Sequence, residues 1–220
     1  MIPIRDEIRT RRIPYVNYAL IAINVLVFLW MFLNSGNLDQ IYAQYALVPA
    51  NFSIINMFTS MFMHGGWMHL LGNMLYLWIF GDNIEDRFGH AFFLLFYLAG
   101  GVAAALLQVA INPSSTVPMV GASGAIAAVL GAYIVIYPHS RVYTFVPIGY
   151  FARLTLVPAI IVLGLWFLLQ LLSGVGSLGA PDQGGTAYFA HIGGSIFGLI
   201  MGWLFKGRGE EPQPAPPNWN

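Results

Sequence analysis

Long apolar segments recur along the 220-residue chain, and short polar or Gly- and Pro-rich breaks separate them. A helix needs about 20 mostly apolar residues to cross a bilayer, because every backbone polar group must be paired inside the lipid. The segments lie at about 16–34, 66–81, 90–110, 119–137, 152–173 and 186–205. This pattern predicts an all-α membrane protein in which six transmembrane helices form a bundle.

The charge content supports a membrane protein and excludes several other classes. Only 8% of the residues are charged and 58% are apolar, whereas a soluble domain carries about 25% charged residues. An ordinary soluble enzyme, a disordered chain and a nucleic-acid-binding protein with a basic surface are therefore excluded. The chain has no cysteine, which excludes disulfides and thiolate metal sites. No cofactor is expected.

The basic residues predict the orientation of the chain. Arg5, Arg9, Arg11 and Arg12 precede the first segment, and all nine Lys and Arg residues fall on one side of a six-span arrangement. The positive-inside rule then predicts that both termini are cytoplasmic. The expected domains are a basic cytoplasmic N-terminal segment (1–14), a six-helix membrane domain (15–206) and a Pro-rich cytoplasmic tail (207–220). Without a long presequence, a bacterial plasma membrane is favoured over an organelle, which stays an alternative.

Four polar residues occupy membrane segments, where polar side chains are costly and point to function. They are His69, Asn73, Ser123 and His191, and the second, fourth and sixth segments that carry them all run from outside to inside. If the fourth segment begins near Pro118, Ser123 lies about 8 Å along its helix, and His191 lies at a similar depth. His69 and Asn73 are four residues apart and share a helix face. The four side chains are predicted to meet in one polar pocket.

Small residues on the fourth and sixth segments favour close approach of these two helices. One ridge consists of Gly194, Gly198 and Gly202, and its counterpart consists of Gly124, Ala127, Ala128 and Gly131. Their contact is predicted to bring Ser123 and His191 within hydrogen-bonding distance.

The chemistry that follows from this contact is acyl transfer. A serine hydroxyl becomes a strong nucleophile when a base removes its proton, and His191 is the histidine available to do so. The amide of Asn73, the imidazole of His69 and the backbone N–H of Ser123 are candidate donors to an oxyanion. No Asp or Glu lies near this level, so a Ser–His dyad without a carboxylate and without a metal is predicted.

Other functions use the same residue types. A lone serine in a membrane helix often bonds to a carbonyl one turn earlier, and a lone histidine often serves packing. A channel or transporter with His69 and His191 as a proton relay would need a carboxylate deep in the bundle. A metalloprotease would need His-Glu-x-x-His, and an aspartyl protease would need two intramembrane Asp residues, of which Asp82 is at most one.

The motifs taken together resemble the rhomboid family of intramembrane serine proteases. The segment 58–73, which contains His64, His69 and Asn73, is similar to the family's first signature. Gly-Ala-Ser-Gly at 121–124 resembles its nucleophile motif, and Ala-His-Ile-Gly-Gly at 190–194 resembles its base motif. Glu85 and Arg87 resemble a structural Glu-x-Arg pair.

The resemblance implies a six-helix bundle with a water-filled cavity that opens to the outside. It implies that Ser123 is the nucleophile, that His191 is the general base and then the acid, and that His69 and Asn73 stabilise the oxyanion. The expected partners are the lipid bilayer and single-span membrane-protein substrates, with a mobile cap at 174–185 over the site. The alternative is a catalytically inactive rhomboid-like protein that binds and routes membrane proteins; such relatives are expected to lack the Ser or the His. The oligomeric state is not predicted.

Ala127 departs from the family pattern. Many rhomboids carry an aromatic residue four positions after the nucleophile, where it packs on the catalytic imidazole. Ala127 offers only a methyl group there, so another group must orient His191. His90 and His139 are interpreted as incidental residues at the cytoplasmic helix ends.

Overall fold

The computed structural model describes residues 1–148, 151–178 and 186–207, and helices dominate these residues. In chain order the α-helices are α1 (Tyr15–Leu33), α2 (Leu38–Tyr45), α3 (Ile54–Thr59), α4 (Trp67–Phe88), α5 (His90–Ile111), α6 (Ser123–Ile136), α7 (Ala159–Ser177) and α8 (Tyr188–Phe205). Single 3-10 turns follow α1 at Ser35–Asn37 and α3 at Ser60–Phe62. The strands are β1 (Ile2–Asp6), β2 (Arg141–Ile148) and β3 (Phe151–Pro158).

Four of these helices, α1, α5, α7 and α8, are long and apolar enough to cross a membrane. This confirms the prediction of a mostly helical, multi-pass membrane protein. α4 is as long as α5, with 22 residues, but it carries more polar side chains and is not among the four. α6 is apolar but only 14 residues long. The count of six spans and the side on which the termini lie stay predictions.

The prediction of an all-α protein was wrong, because β1, β2 and β3 form a three-stranded antiparallel sheet in that order. The apolar run at 152–173 was read as one helix, but its first part forms β3 and α7 begins at Ala159. Pro158 marks this change, since proline lacks the N–H that a helix interior requires. A short apolar run has no period that distinguishes a strand from a helix.

The sheet packs one of its faces against the helices. Along β2, Val142 and Thr144 are buried while Arg141 and Phe145 are exposed, which is the alternation that a strand produces. Val142 belongs to the main hydrophobic core. The sheet therefore joins the start of the chain to the connection between α6 and α7.

Two charged residues near the end of α4 form hydrogen bonds with the termini of other helices. The carboxylate of Glu85 is buried and accepts hydrogen bonds from the backbone N–H groups of Val16 (2.9 Å) and Asn17 (2.7 Å) at the start of α1. The guanidinium of Arg87 donates to the carbonyl of Lys206 at the end of α8 (2.5 Å). A negative group suits a helix N-terminus, and a positive group suits a C-terminus. The Glu-x-Arg pair therefore contacts the ends of two other helices.

His90, expected to be incidental, takes part in this arrangement. Its Nδ1 lies 2.5 Å from Oε1 of Glu85, so the imidazole shares the carboxylate that holds α1. The sequence did not predict this contact, because Glu85 lies on α4 and His90 on α5. The tight turn at Gly89 between the two helices brings them together. That glycine has a φ of +77°, a left-handed value that favours glycine.

Asp6 at the end of β1 forms hydrogen bonds with residues of α4 and α6. Its Oδ2 accepts from the hydroxyl of Tyr133 on α6 (2.6 Å) and from Nδ2 of Asn83 on α4 (2.8 Å). Burial raises the pKa of Asp6 to about 7, because removal from water disfavours the charged form. The N-terminal strand is thus connected by hydrogen bonds to the helix that carries Ser123.

Two predicted segments extend beyond the described residues. The Pro-rich tail was placed at 207–220, of which 208–220 lie outside the described residues. The cap was placed at 174–185. Its first residues, Gly174–Ser177, form the end of α7, while 179–185 lie outside the described residues.

Candidate active site

Helices α6 and α8 pack with their backbones in direct contact. A Cβ added to Gly194 would overlap the carbonyl oxygen of Gly124, and one added to Gly198 would overlap that of Ala128. Helices approach this closely only where side chains are absent. The predicted ridges therefore meet as expected, and the first turns of α6 and α8 lie side by side.

The structure brings Ser123 and His191 together at these first turns. Oγ of Ser123 lies 2.7 Å from Nε2 of His191, which is a normal hydrogen-bond distance. His191 is 8% exposed. The predicted contact between the two side chains is therefore present.

The position of Ser123 within its helix differs from the expectation. Helix α6 begins at Ser123 itself, after Ala122 as its N-cap, and not near Pro118. Ser123 is therefore in the first turn, where backbone N–H groups have no partner in the helix. The free N–H groups and the positive end of the helix dipole both favour negative charge beside the hydroxyl.

A second helix holds the far side of the imidazole. Oε1 of Gln170 on α7 lies 2.7 Å from Nδ1 of His191, and the ring of Trp166 lies 5.5 Å from the imidazole ring between centroids. Ala127 had left open which other group contacts the imidazole, and in the structure Gln170 and Trp166 are in contact with it. Sequence reasoning missed both, although a single amide in an otherwise apolar segment was a usable signal.

His69 and Asn73 lie on α4 and line the same cavity as Ser123 and His191. The side chain of Asn73 is buried, and its Nδ2 has no hydrogen-bond partner among residues 1–148, 151–178 and 186–207. A buried donor without a partner is costly. The Asn73 amide is therefore available to a ligand in the cavity.

His69 offers a second donor toward Ser123. The backbone N–H of Gly65 donates to Nδ1 of His69 at 3.4 Å, which leaves the ring proton on Nε2. Nε2 faces Gly121, where an added Cβ would lie 2.7 Å from it and 3.6 Å from Oγ of Ser123. Gly121 has a φ of +129°. A larger residue there would be strained and would fill the space between His69 and Ser123.

His64 lies behind His69 and does not line the cavity. It is 1% exposed, and its ring contacts that of His69 with 5.0 Å between centroids. Burial, with a smaller effect of His69, lowers the pKa of His64 to about 4. The ring is therefore neutral at pH 7 and supports His69 by packing.

The cavity has a volume of about 1100 Å³ and reaches from these residues to the ends of several helices. Its polar lining includes Gln108 on α5, whose Oε1 accepts a hydrogen bond from the backbone N–H of Ala190 (3.2 Å). This bond fixes the first turn of α8 beside α5. The cavity thus combines a serine–imidazole contact with several hydrogen-bond donors.

Comparison with a family model gives a match over most of the chain. The model described as the Rhomboid domain matches residues 51–208. These residues contain all four predicted site residues.

Individual relatives agree with this match. Rhomboid protein 1, mitochondrial, of Saccharomyces cerevisiae is 32% identical over 198 residues, which cover 86% of this chain and 53% of that protein. RHOMBOID-like protein 1 of Arabidopsis thaliana is 30% identical over 73% of this chain and 36% of the relative. Rhomboid protease GluP of Bacillus subtilis is 32% identical over 58% of this chain and 26% of the relative. The chain spans about half the length of the yeast relative and less of the other two.

The named relatives do not support the expected bacterial membrane. One is mitochondrial by name and another comes from a bacterium, so these relatives do not favour a bacterial over an organellar membrane. What the fold and the comparisons support is the broader location, a membrane that the chain crosses several times.

Proposed function

The chain belongs to the rhomboid family, and we propose that it is a serine endopeptidase that cleaves membrane proteins in or near their transmembrane segments. The observation that carries the proposal is the 2.7 Å contact between Oγ of Ser123 and Nε2 of His191 at the wall of a large cavity. A base in contact with a serine hydroxyl is the arrangement that acyl transfer requires.

The reaction begins with proton transfer from Ser123 to His191. Nε2 takes the hydroxyl proton as Oγ attacks the carbonyl carbon of the scissile peptide bond, and the carbonyl oxygen becomes an oxyanion. The C–N bond then breaks while the imidazolium of His191 gives its proton to the leaving amine. Water from the cavity hydrolyses the acyl-enzyme by the same steps, with His191 again as base and then acid.

We expect three donors to stabilise the oxyanion. They are Nδ2 of Asn73, Nε2 of His69 and the backbone N–H of Ser123 in the first turn of α6. Donors held in place before the reaction need no reorganisation as charge develops. This accounts for an amide donor that is buried without a partner among the described residues.

The proposed arrangement in the membrane has six spans with both termini in the cytoplasm. α4 and α6 would add to the four helices that are long and apolar enough to cross a membrane, and the described basic residues cluster where α1 begins and where α4, α6 and α8 end. The pairing of β1 with β2 and the bond from Arg87 to Lys206 support one common side for these ends. The basic segment 1–14 would then belong with the membrane domain 15–206. The dyad would lie near the opposite, outer surface, where single-span substrates enter.

Purified protein in detergent or lipid vesicles is expected to cleave a single-span substrate without added metal or nucleotide. A serine-directed fluorophosphonate is expected to block cleavage and to label Ser123, which peptide mass spectrometry would identify. The general reason is that only a hydroxyl activated by a base reacts readily with this reagent. Labelling of a different serine together with loss of cleavage would contradict the assignment of the nucleophile.

Asn73→Ala is expected to lower kcat by about 10²–10³-fold, because it removes one oxyanion donor while others remain. KM should change little, since the donor acts mainly on the transition state. Steady-state kinetics with a peptide or single-span substrate would measure both constants. Asn56→Ala, which removes an amide that bonds to the carbonyl of Ala46 outside the cavity lining, is the matched control. An equal loss of kcat in both variants would speak against a donor role for Asn73.

A further inference from the structure

The imidazole of His191 is held from two directions by one helix. Gln170 bonds to Nδ1 at 2.7 Å, and Trp166 contacts the ring at 5.5 Å between centroids. The two residues are four positions apart on α7 and therefore share one face. α7 thus contacts the imidazole through a hydrogen bond to Nδ1 and through the ring of Trp166.

The bond to Gln170 determines which nitrogen carries the proton. Oε1 of an amide can only accept, so Nδ1 of His191 must be the protonated nitrogen. Nε2 then has a free lone pair, and the Ser123 hydroxyl donates to it at 2.7 Å. This tautomer is the one in which His191 can act as a base toward Ser123.

Position 127 of helix α6 has little room for a larger side chain that could orient the ring. Ala127 is fully buried, and its Cβ lies 3.2 Å from the position that a Cβ of Gly194 would take. Among the described residues, the hydrogen bonds of the imidazole go to Gln170 and Ser123. The orientation of the ring therefore depends on α7.

We infer that Gln170 is the positioning residue of this site: its amide oxygen holds His191 in the tautomer and orientation that the reaction needs. Gln170 occupies the place that a carboxylate takes in a Ser-His-Asp triad, but it brings no charge into the membrane, where a charge is costly. The inference rests on the proposed function for its consequence in catalysis, although the hydrogen bond itself does not.

Gln170→Leu is expected to lower kcat on the order of 10²-fold, the cost of a small misorientation of a catalytic group. KM is expected to stay within about twofold, since Gln170 is not among the residues that line the cavity and misorientation acts on the chemical step. Gln170→Glu keeps an acceptor oxygen at the same reach and is expected to recover most of the activity. Leu169→Ala, an adjacent exposed position on α7, is the matched control and should behave as wild type. Wild-type kcat in Gln170→Leu, or equal losses in the Leu and Glu variants, would overturn the inference.

Nitrogen NMR of histidine-labelled protein tests the tautomer without any substrate. The signal of His191 is assigned by its loss in His191→Ala, and it is expected to report a protonated Nδ1 in the wild type and a majority of protonated Nε2 in Gln170→Leu. An unchanged tautomer in Gln170→Leu would overturn the inference even if the protein cleaves substrates. The expected change in a protein that cleaves nothing would uphold the role of Gln170 and count against the proposed function alone.

Discussion

Ser123→Ala and His191→Ala are each expected to lower the cleavage rate on the order of 10⁴–10⁶-fold, because nucleophile and base act as a unit. For the same reason the double variant is expected to be no slower than either single variant. The two side chains are in contact at 2.7 Å, so under the proposed function neither is expected to act without the other. Single-turnover cleavage of a labelled single-span substrate measures these rates.

The controls separate chemistry from folding. Ser195→Ala removes a buried serine from the helix that carries His191, and His139→Ala removes an exposed histidine far from the cavity lining. Both are expected to retain activity close to that of the wild type. All four variants should unfold close to the wild-type temperature, since the dyad is not part of the hydrophobic core. Substantial cleavage by Ser123→Ala would refute the proposed nucleophile.

Gly198→Ala is expected to lower both stability and activity, although it adds a single methyl group. The new Cβ would overlap the carbonyl of Ala128 and lie close to the rest of its backbone, which cannot move aside as a flexible side chain can. Overpacking of this kind costs about 1–3 kcal/mol, or roughly 2–4 °C in Tm for each kcal/mol in a chain of this size. The shift that separates α6 from α8 would also move His191 from Ser123, so kcat should fall on the order of 10²-fold.

Gly164→Ala is the matched control for this substitution. Gly164 lies in α7, and an added Cβ meets nothing within 4 Å there. Because alanine favours a helix more than glycine does, this variant should be at least as stable as the wild type and equally active. Thermal unfolding followed by a cleavage assay on both variants compares them directly. Equal stability of Gly198→Ala and Gly164→Ala would contradict the close packing of α6 and α8.

Long apolar segments made much of the helical fold predictable. The first and third segments match α1 and α5 within a residue at each end, because apolar runs of this length have few alternatives to a helix. The second segment was predicted to end at 81, but α4 continues to Phe88. Its last turns carry Asp82 and Glu85, and from hydropathy alone both side chains would be predicted to be exposed to solvent. Glu85 is nevertheless buried, because its carboxylate meets the N-terminus of α1.

The sheet and part of the site depend on contacts between distant residues. His69 and Asn73 could be paired from their spacing, and Ser123 and His191 from the small residues that let their helices meet. The contacts of Gln170 and Trp166 with His191 could not be predicted, since no sequence pattern in α7 indicates which neighbouring helix its polar residue faces. The pairing of β1 with β2 likewise joins residues more than 130 positions apart, as in the match of Ile2 to Phe145.

That pairing has a consequence for the order in which the protein matures. Strand β1 is synthesised before the helices, but its partner β2 follows only after α6. During translation β1 therefore stays unpaired while α1, α4, α5 and α6 are synthesised. Closure of the sheet therefore follows the synthesis of α6, and it connects Ile2–Asp6 to the strand that comes after the helix beginning at Ser123.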